Sequence, residues 1–127
     1  MEENEEKRKT LSEVVQNVRN WKTGVDDSTI LKYINEIEAD IQRNVFKVDL
    51  KDLIVYDFDE DQSTELIVPY PFYDIYEYYV LTMVNYELQE FTAYNQFKIM
   101  YESKYAAYRA YLMNKDSKTN GYTKYFN

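Results

Sequence analysis

The chain contains no cysteine and no histidine. The first absence removes disulfide staples, thiolate nucleophiles and Cys-rich metal sites. The second removes the commonest metal ligand and the commonest general base. Glycine and proline occur only twice each, so few positions force regular structure to break, which favours long helices joined by few turns. With Gly24 and Gly121 as the only glycines, a Gly-rich phosphate cradle is excluded. No apolar run approaches the roughly 18 to 20 residues of a membrane helix. Met1–Lys9 is a run of charges, unlike a signal peptide. These absences leave a soluble, intracellularly made, metal-poor domain as the expectation.

Tyrosine is what the sequence has in excess: 15 in 127 residues, within an aromatic fraction of 17%. Tyr can form an amphipathic core whose hydroxyls reach water or a neighbour, or a surface suited to protein contacts. The length fits one domain, and an acidic chain this rich in aromatics is a poor candidate for disorder. Lys plus Arg number 15 against 23 Asp plus Glu, a net charge of −8. The balance is uneven: Met1–Tyr101 holds 10 basic and 21 acidic residues, whereas Glu102–Asn127 holds 5 basic and 2 acidic. Phosphate neutralisation dominates affinity for DNA, so a short basic tail on an acidic body argues against sequence-reading DNA proteins.

Helical periodicity begins after the charged start. Leu11, Val14, Val15, Val18 and Trp21 fall at helical spacing behind Thr10 and Glu13, which fit a capping box. Gly24 is expected to end this helix. Asp26 and Asp27 then open a second, whose stripe is Ile30, Ile34, Ile37, Ile41 and Val45 and whose opposite face is Lys32, Asn35, Glu36, Asp40 and Arg43. The period changes at Leu53–Tyr56 and Glu65–Val68, two β-branched runs that predict a hairpin or a pair of extended segments. Such a hairpin is marginal alone and must pack on helices or another subunit. Pro69 and Pro71 close it, and Pro71 suits the first turn of a helix. From Phe72 to about Leu88 apolar residues occupy almost every face, as in a helix central to a bundle. A fourth helix, from Phe91 to about Asn114, carries Tyr94, Phe97, Tyr101, Tyr105, Tyr108 and Leu112 on one stripe.

Chemical motifs are few. Asp57, Asp59, Glu60 and Asp61 are the one acidic cluster with ligand-like alternation, but a calcium loop started at Asp57 needs Gly and Glu where Gln62 and Val68 stand. A solvated acidic turn is the expected reading. A carboxylate-bridged di-metal bundle needs Glu-x-x-His pairs, and nucleophilic catalysis needs a Ser or Thr in an elbow or Ser-x-x-Lys context that no serine here occupies. No catalytic, cofactor or metal residue is therefore assigned. Tyr73, Tyr78, Tyr86 and Tyr111 fall off the main stripes, more than one small bundle readily buries, which points to subunit contacts. In the tail, Lys118, Tyr122, Lys124, Tyr125 and Phe126 are either disordered or a docking strip that orders on a partner.

Several of these residues together resemble a known family. Leu66-Ile67-Val68-Pro69-Tyr70-Pro71, then Ile75-Tyr76, Tyr78-Tyr79, Tyr86, Glu90-Phe91 and Tyr94-Asn95, resemble the second half of small head–tail connector (adaptor) proteins of tailed phages and prophages of Gram-positive bacteria. Tyr33-Ile34-Asn35-Glu36-Ile37-Glu38, with Ile41 beyond, looks like the same family's early helix. The similarity runs from about Leu11 to Asn114 and rests on packing patterns. Gln89 departs from it, standing where the family often has a turn Gly. The resemblance implies a helical protomer of a ring, usually of twelve copies, beneath the portal. The ring extends the DNA channel and presents a platform to the next tail-joining (stopper) protein. It implies a virion location at the head–tail interface after synthesis in the bacterial host's cytoplasm, with DNA passing through and no membrane contact.

The expectation is thus an all-α domain of four helices with a small β-hairpin or extended arm between the second and third. Residues 1–9 form a charged flexible start, 10–114 the helical domain and 115–127 a flexible tail. The acidic turn at Asp57–Asp61 is expected to face the ring's channel and the tail to dock on the portal. The rival expectation is an acidic interaction protein, a DNA mimic or a regulator-binding inhibitor.

Overall fold

The computed structural model describes residues 6–116. It is mostly helical with one small two-stranded antiparallel sheet, in the order β1 (Arg8–Thr10), α1 (Leu11–Trp21), α2 (Asp27–Asn44), a single 3₁₀ turn (Leu50–Asp52), α3 (Phe58–Asp61), β2 (Glu65–Pro69), α4 (Ile75–Glu87) and α5 (Phe91–Asp116). The all-α architecture with a small β arm is therefore observed, with one short helix, α3, beyond the four expected.

The start of the chain is ordered further forward than its charges suggest. Arg8–Thr10 forms β1 and pairs antiparallel with β2, Arg8 opposite Pro69 and Thr10 opposite Glu65. The strand continues into α1 through the expected capping box: the Glu13 amide donates to Thr10 Oγ1 at 3.2 Å, and the Thr10 amide donates to Glu13 Oε1 at 2.9 Å. The next two amides of the first turn are also satisfied, Leu11 N on Thr64 O and Ser12 N on Gln62 O, each at 3.0 Å. Leu11, Val14, Val15 and Val18 are buried, but Trp21, on the same stripe, is 62% exposed. Helix α1 ends at Trp21, and Gly24 takes φ +87° in the following loop, a conformation that L side chains rarely adopt.

Helix α2 buries Ile30, Ile34, Ile37 and Ile41 completely or nearly so, each contributing about 2 kcal/mol relative to exposure. Its polar residues are not simply solvated. Asn35 and Gln42, two turns apart, clamp the extended segment that the sequence predicts as a strand. Asn35 accepts from Tyr56 N at 2.8 Å and donates to Tyr56 O at 3.1 Å. Gln42 does the same to Ile54, at 2.9 and 3.1 Å. Leu53–Tyr56 consequently satisfies alternate backbone groups on helix side-chain amides, and the strand partner of β2 is β1.

β2 buries Leu66, Val68 and Pro69 and ends where the prolines require. Pro71 lies in the turn before α4, after a cis Tyr70–Pro71 bond, so it is not in the first turn of the helix, which starts at Ile75. Helix α4 is buried on several sides through Ile75, Tyr76, Val80, Leu81 and Val84 and packs against α1, α2 and α5. The turn to α5 is tight despite the missing glycine. Gln89 adopts φ +59°, Gln89 N bonds Tyr86 O at 3.0 Å, and Glu90 N bonds Asn85 O at 2.9 Å. Helix α5 lays Phe97, Tyr101, Tyr105, Tyr108 and Leu112 against the core. It runs on through Lys115 and Asp116, two residues past the expected boundary.

A single carboxylate joins these layers. Glu38 is fully buried. It accepts the Tyr76 hydroxyl at 2.5 Å on one oxygen, and the Tyr56 hydroxyl at 2.8 Å and Ile67 amide at 2.9 Å on the other. Tyr76 in turn accepts the Val68 amide at 2.9 Å. Burial raises the Glu38 pKa, opposed by the donors from Tyr76, Ile67 and Tyr56. One side chain on α2 therefore fixes β2, α4 and the Leu53–Tyr56 arm. Glu38→Ala should strand three buried donors and cost about 3 kcal/mol or more, lowering the thermal midpoint in far-UV circular dichroism by on the order of 10 °C. Glu36→Ala removes only an exposed bond to Tyr79 and should cost under about 1 kcal/mol. Equal losses in the two variants would contradict the role given to Glu38.

Candidate functional site

The acidic cluster forms a structural turn. Asp57 caps α3, its carboxylate accepting from Glu60 N at 3.1 Å, while Asp61 accepts from Asp57 N at 2.7 Å. Asp57, Asp59 and Glu60 are exposed and Asp61 is half-buried. Two of the four carboxylates are thus engaged with local backbone, and among the described residues no group of three or more Asp or Glu is placed to hold a metal ion. Lys118, Tyr122, Lys124, Tyr125 and Phe126 lie outside the described residues. No helix among the described residues is long and apolar enough to cross a membrane.

The densest titratable constellation is the tyrosine–carboxylate set on α2. Tyr79 donates to Glu36 at 2.9 Å, Tyr76 and Tyr56 to Glu38, and Tyr105 to Asp40 at 2.6 Å; Tyr33, also on α2, donates to Glu87. Glu36 and Asp40, expected on a solvent face, each catch a phenol from α4 or α5. Spacing along α2 gives no sign of this, because a carboxylate that receives a tyrosine from a remote helix is indistinguishable in sequence from one that faces water. At its centre Glu38 is fully enclosed, whereas Glu36 is exposed and Asp40 half-buried.

What the fold leaves outside is apolar and aromatic. Of the four tyrosines expected in surplus, Tyr86 and Tyr111 are exposed, at 55% and 37%, whereas Tyr73 and Tyr78 are half-buried. Tyr73 lies under the Lys9 ammonium, 4.3 Å from its ring centre, and packs edge-on to the exposed Tyr70. At the α4–α5 turn, exposed Tyr86, Leu88 and Phe91 cluster, with Tyr86 and Phe91 rings 6.3 Å apart. Trp21 is near the same end, edge-on to Phe97 at 5.6 Å. Toward the other end of α5, Phe46 and Met113 are exposed and border a cleft of about 230 Å³ with Val45, Arg109 and Leu112. The arm adds Leu50 and Val55, each about 70% exposed. Phe91 and Met113 are separated by roughly 33 Å along the helix axis. Exposed apolar residues thus cluster near both ends of α5, with Ile99 and Met100 exposed along the helix between them.

Sequence periodicity missed Trp21, Phe46, Leu50, Val55 and Met113 as surface residues. Trp21 falls on the α1 stripe by spacing, and the others lie in connections or on α5, where apolar residues occur on all sides. For Trp21 and Phe46 the composition carries a signal, the excess of rings over core positions; for Leu50, Val55 and Met113 the sequence carries none. No family model, curated protein sequence or solved structure matches this chain.

The buried phenols set an alkaline limit. Burial, then the Asp40 bond, pushes Tyr105 up to about 12; burial, then the Glu6 charge, does the same for Tyr108. Since folding raises these values above the ordinary phenol range, their stabilising contribution is complete below about pH 10 and is lost as pH climbs through about 12. Phenolate absorbance should therefore rise in two waves, the second coinciding with loss of helical circular dichroism. A single reversible wave for all 15 tyrosines, with the helix signal intact, would contradict the packing of α5.

Proposed function

We propose that the chain is a structural head–tail connector: one copy of a ring seated beneath a phage portal that extends the DNA channel toward the tail and carries out no reaction. The observation that carries this reading is the pair of exposed apolar and aromatic surfaces near opposite ends of one helical body. Exposed apolar residues concentrated in patches mark sites of protein contact, and Tyr, Trp, Phe and Met are the residues enriched at such contacts. Two different surfaces on one protomer suit heterologous contacts, which close into rings when the rotation permits. A body with two ends also suits a part that joins a portal on one side to a stopper protein on the other. The residue pattern around Leu66–Asn95 resembles the connector family independently of these surfaces.

Charge agrees with the role. A protomer of net charge −8 lining a channel would repel the duplex and let it slide without sticking. Asp57, Asp59, Glu60 and Asp61 are proposed to face that lumen, and the tail bearing Lys118, Tyr122, Lys124, Tyr125 and Phe126 to dock on the portal.

Negative-stain imaging of the protein mixed with portal-bearing capsids tests the proposal. Rings on the portal vertex are expected. Phe91→Glu and Met113→Glu, on exposed side chains, should change the stability of the free protein by no more than about 0.5 kcal/mol and yet abolish capture. Asp57→Asn with Asp59→Asn and Asp61→Asn should leave assembly intact, because Asn also caps helices well. A wild-type protein that ignores portal and is instead retained by a DNA-binding enzyme would overturn the reading in favour of DNA mimicry.

A further inference from the structure

Helix α5 is an outer element. It packs chiefly on α4 and lays Phe97, Tyr101, Tyr105 and Tyr108 against the core. The far side of such a helix is ordinarily polar. Here it is not. Ile99, Ser103, Ala106, Ala110 and Met113 follow at steps of 4, 3, 4 and 3 on the side opposite those rings. All five are exposed, Ile99 and Met113 at 67%. Alternating steps of four and three are the spacing of a seam between two helices. Exposed Met100 and Ala107 widen the apolar face on one flank, and exposed Glu102 and Arg109 border it on the other.

We propose that this face pairs with the same face of a second copy, the two α5 helices running antiparallel about a two-fold axis near Ala106. The proposal concerns the free protein, goes beyond the connector reading and does not rest on it. Charge selects both the occupant and its direction. A parallel pair would set Glu102 beside Glu102 and Arg109 beside Arg109. Reversing one helix about Ala106 instead brings Glu102 of each copy level with Arg109 of the other, to within about 1 Å along the axis, and flanking charges of this kind decide partner and orientation in paired helices. Glu102 meets Lys98 through one carboxylate oxygen at 3.2 Å, which leaves the other for the second copy. Arg109 bonds Tyr105 and has further N–H donors to spare. Size agrees with charge. Ile99 falls against Ala110 of the other copy and Ser103 against its Ala106, so the small central residues let the helix axes approach to about 8 Å. Such a contact uses the same face on both copies and closes at two.

Sedimentation equilibrium of the intact protein, without portal, tests the pairing. The average mass should climb from 15.4 kDa toward twice that value across the micromolar range. Glu102→Arg alone and Arg109→Glu alone should each weaken association about tenfold, since each turns two attractive pairs repulsive. The two changes together should restore it to within about twofold of the wild type. Direction is read by linking, because in a chain without cysteine an introduced thiol is the only one. Ala107→Cys, beside the axis, should be joined to its own counterpart by a bismaleimide spanning about 10 Å, whereas Gln96→Cys, about 30 Å from its counterpart in the antiparallel pair, should not. All these positions are exposed, and circular dichroism should match the wild type in every variant. A protein that stays monomeric, a charge exchange that fails to restore association, or linking at Gln96 would each overturn the proposal. Capture by portal is a separate readout, so the connector reading and this one fail separately.

Discussion

The structure depends on an ionisable group placed where water cannot reach it. Glu38 sits on the inner side of α2 among isoleucines, and burying a carboxylate there is expensive unless its lone pairs are met. They are met by three donors from three other elements: the Tyr56 hydroxyl from the arm, the Tyr76 hydroxyl from α4 and the Ile67 amide from β2. Partial satisfaction would be worse than an apolar core, so the four pieces are held to one arrangement or the network fails. The same logic extends outward along α2. Asn35 and Gln42 hold the arm by its backbone, and Glu36 and Asp40 hold α4 and α5 by tyrosine hydroxyls. The abundance of tyrosine is in this sense structural, each ring adding apolar area and each hydroxyl a cross-link.

The helices were legible because their periodicity is strong and their breakers few. The isoleucine stripe of α2 and the Thr10–Glu13 capping box appear as their spacing predicts, and α4 is central because apolar residues surround it. The sheet was legible only in part. β2 was visible as Glu65–Val68, but its partner was hidden in the charged Arg8–Thr10, whose strand conformation is imposed by β2 and by the pull of Asp74 and Glu77 on Lys9. Conversely Leu53–Tyr56 has strand composition without a strand partner, because two side-chain amides on α2 take the place of a ladder. Tertiary contacts of this kind leave no local pattern.

The candidate surfaces were the least legible in position. An excess of rings shows that some must lie outside, but which ones do depends on where each connection ends. Trp21 is displaced from the core by the end of α1, and Phe46 and Leu50 by the irregular chain after α2. The arm and the helix ends thus carry much of the exposed apolar area, and Ile99 and Met100 add to it along α5 between them. This is the physical basis for reading it as a joint between larger assemblies.

The most direct measurement is hydroxyl-radical footprinting of the free protein against the protein assembled on portal-bearing capsids. The account predicts that Trp21, Tyr86 and Phe91 at one end, and Phe46, Tyr111 and Met113 at the other, are labelled in the free protein and protected together on assembly. The buried Tyr76 should remain unlabelled in both. Unchanged labelling at both ends in particles that demonstrably contain the protein would contradict the claim that these surfaces make its contacts.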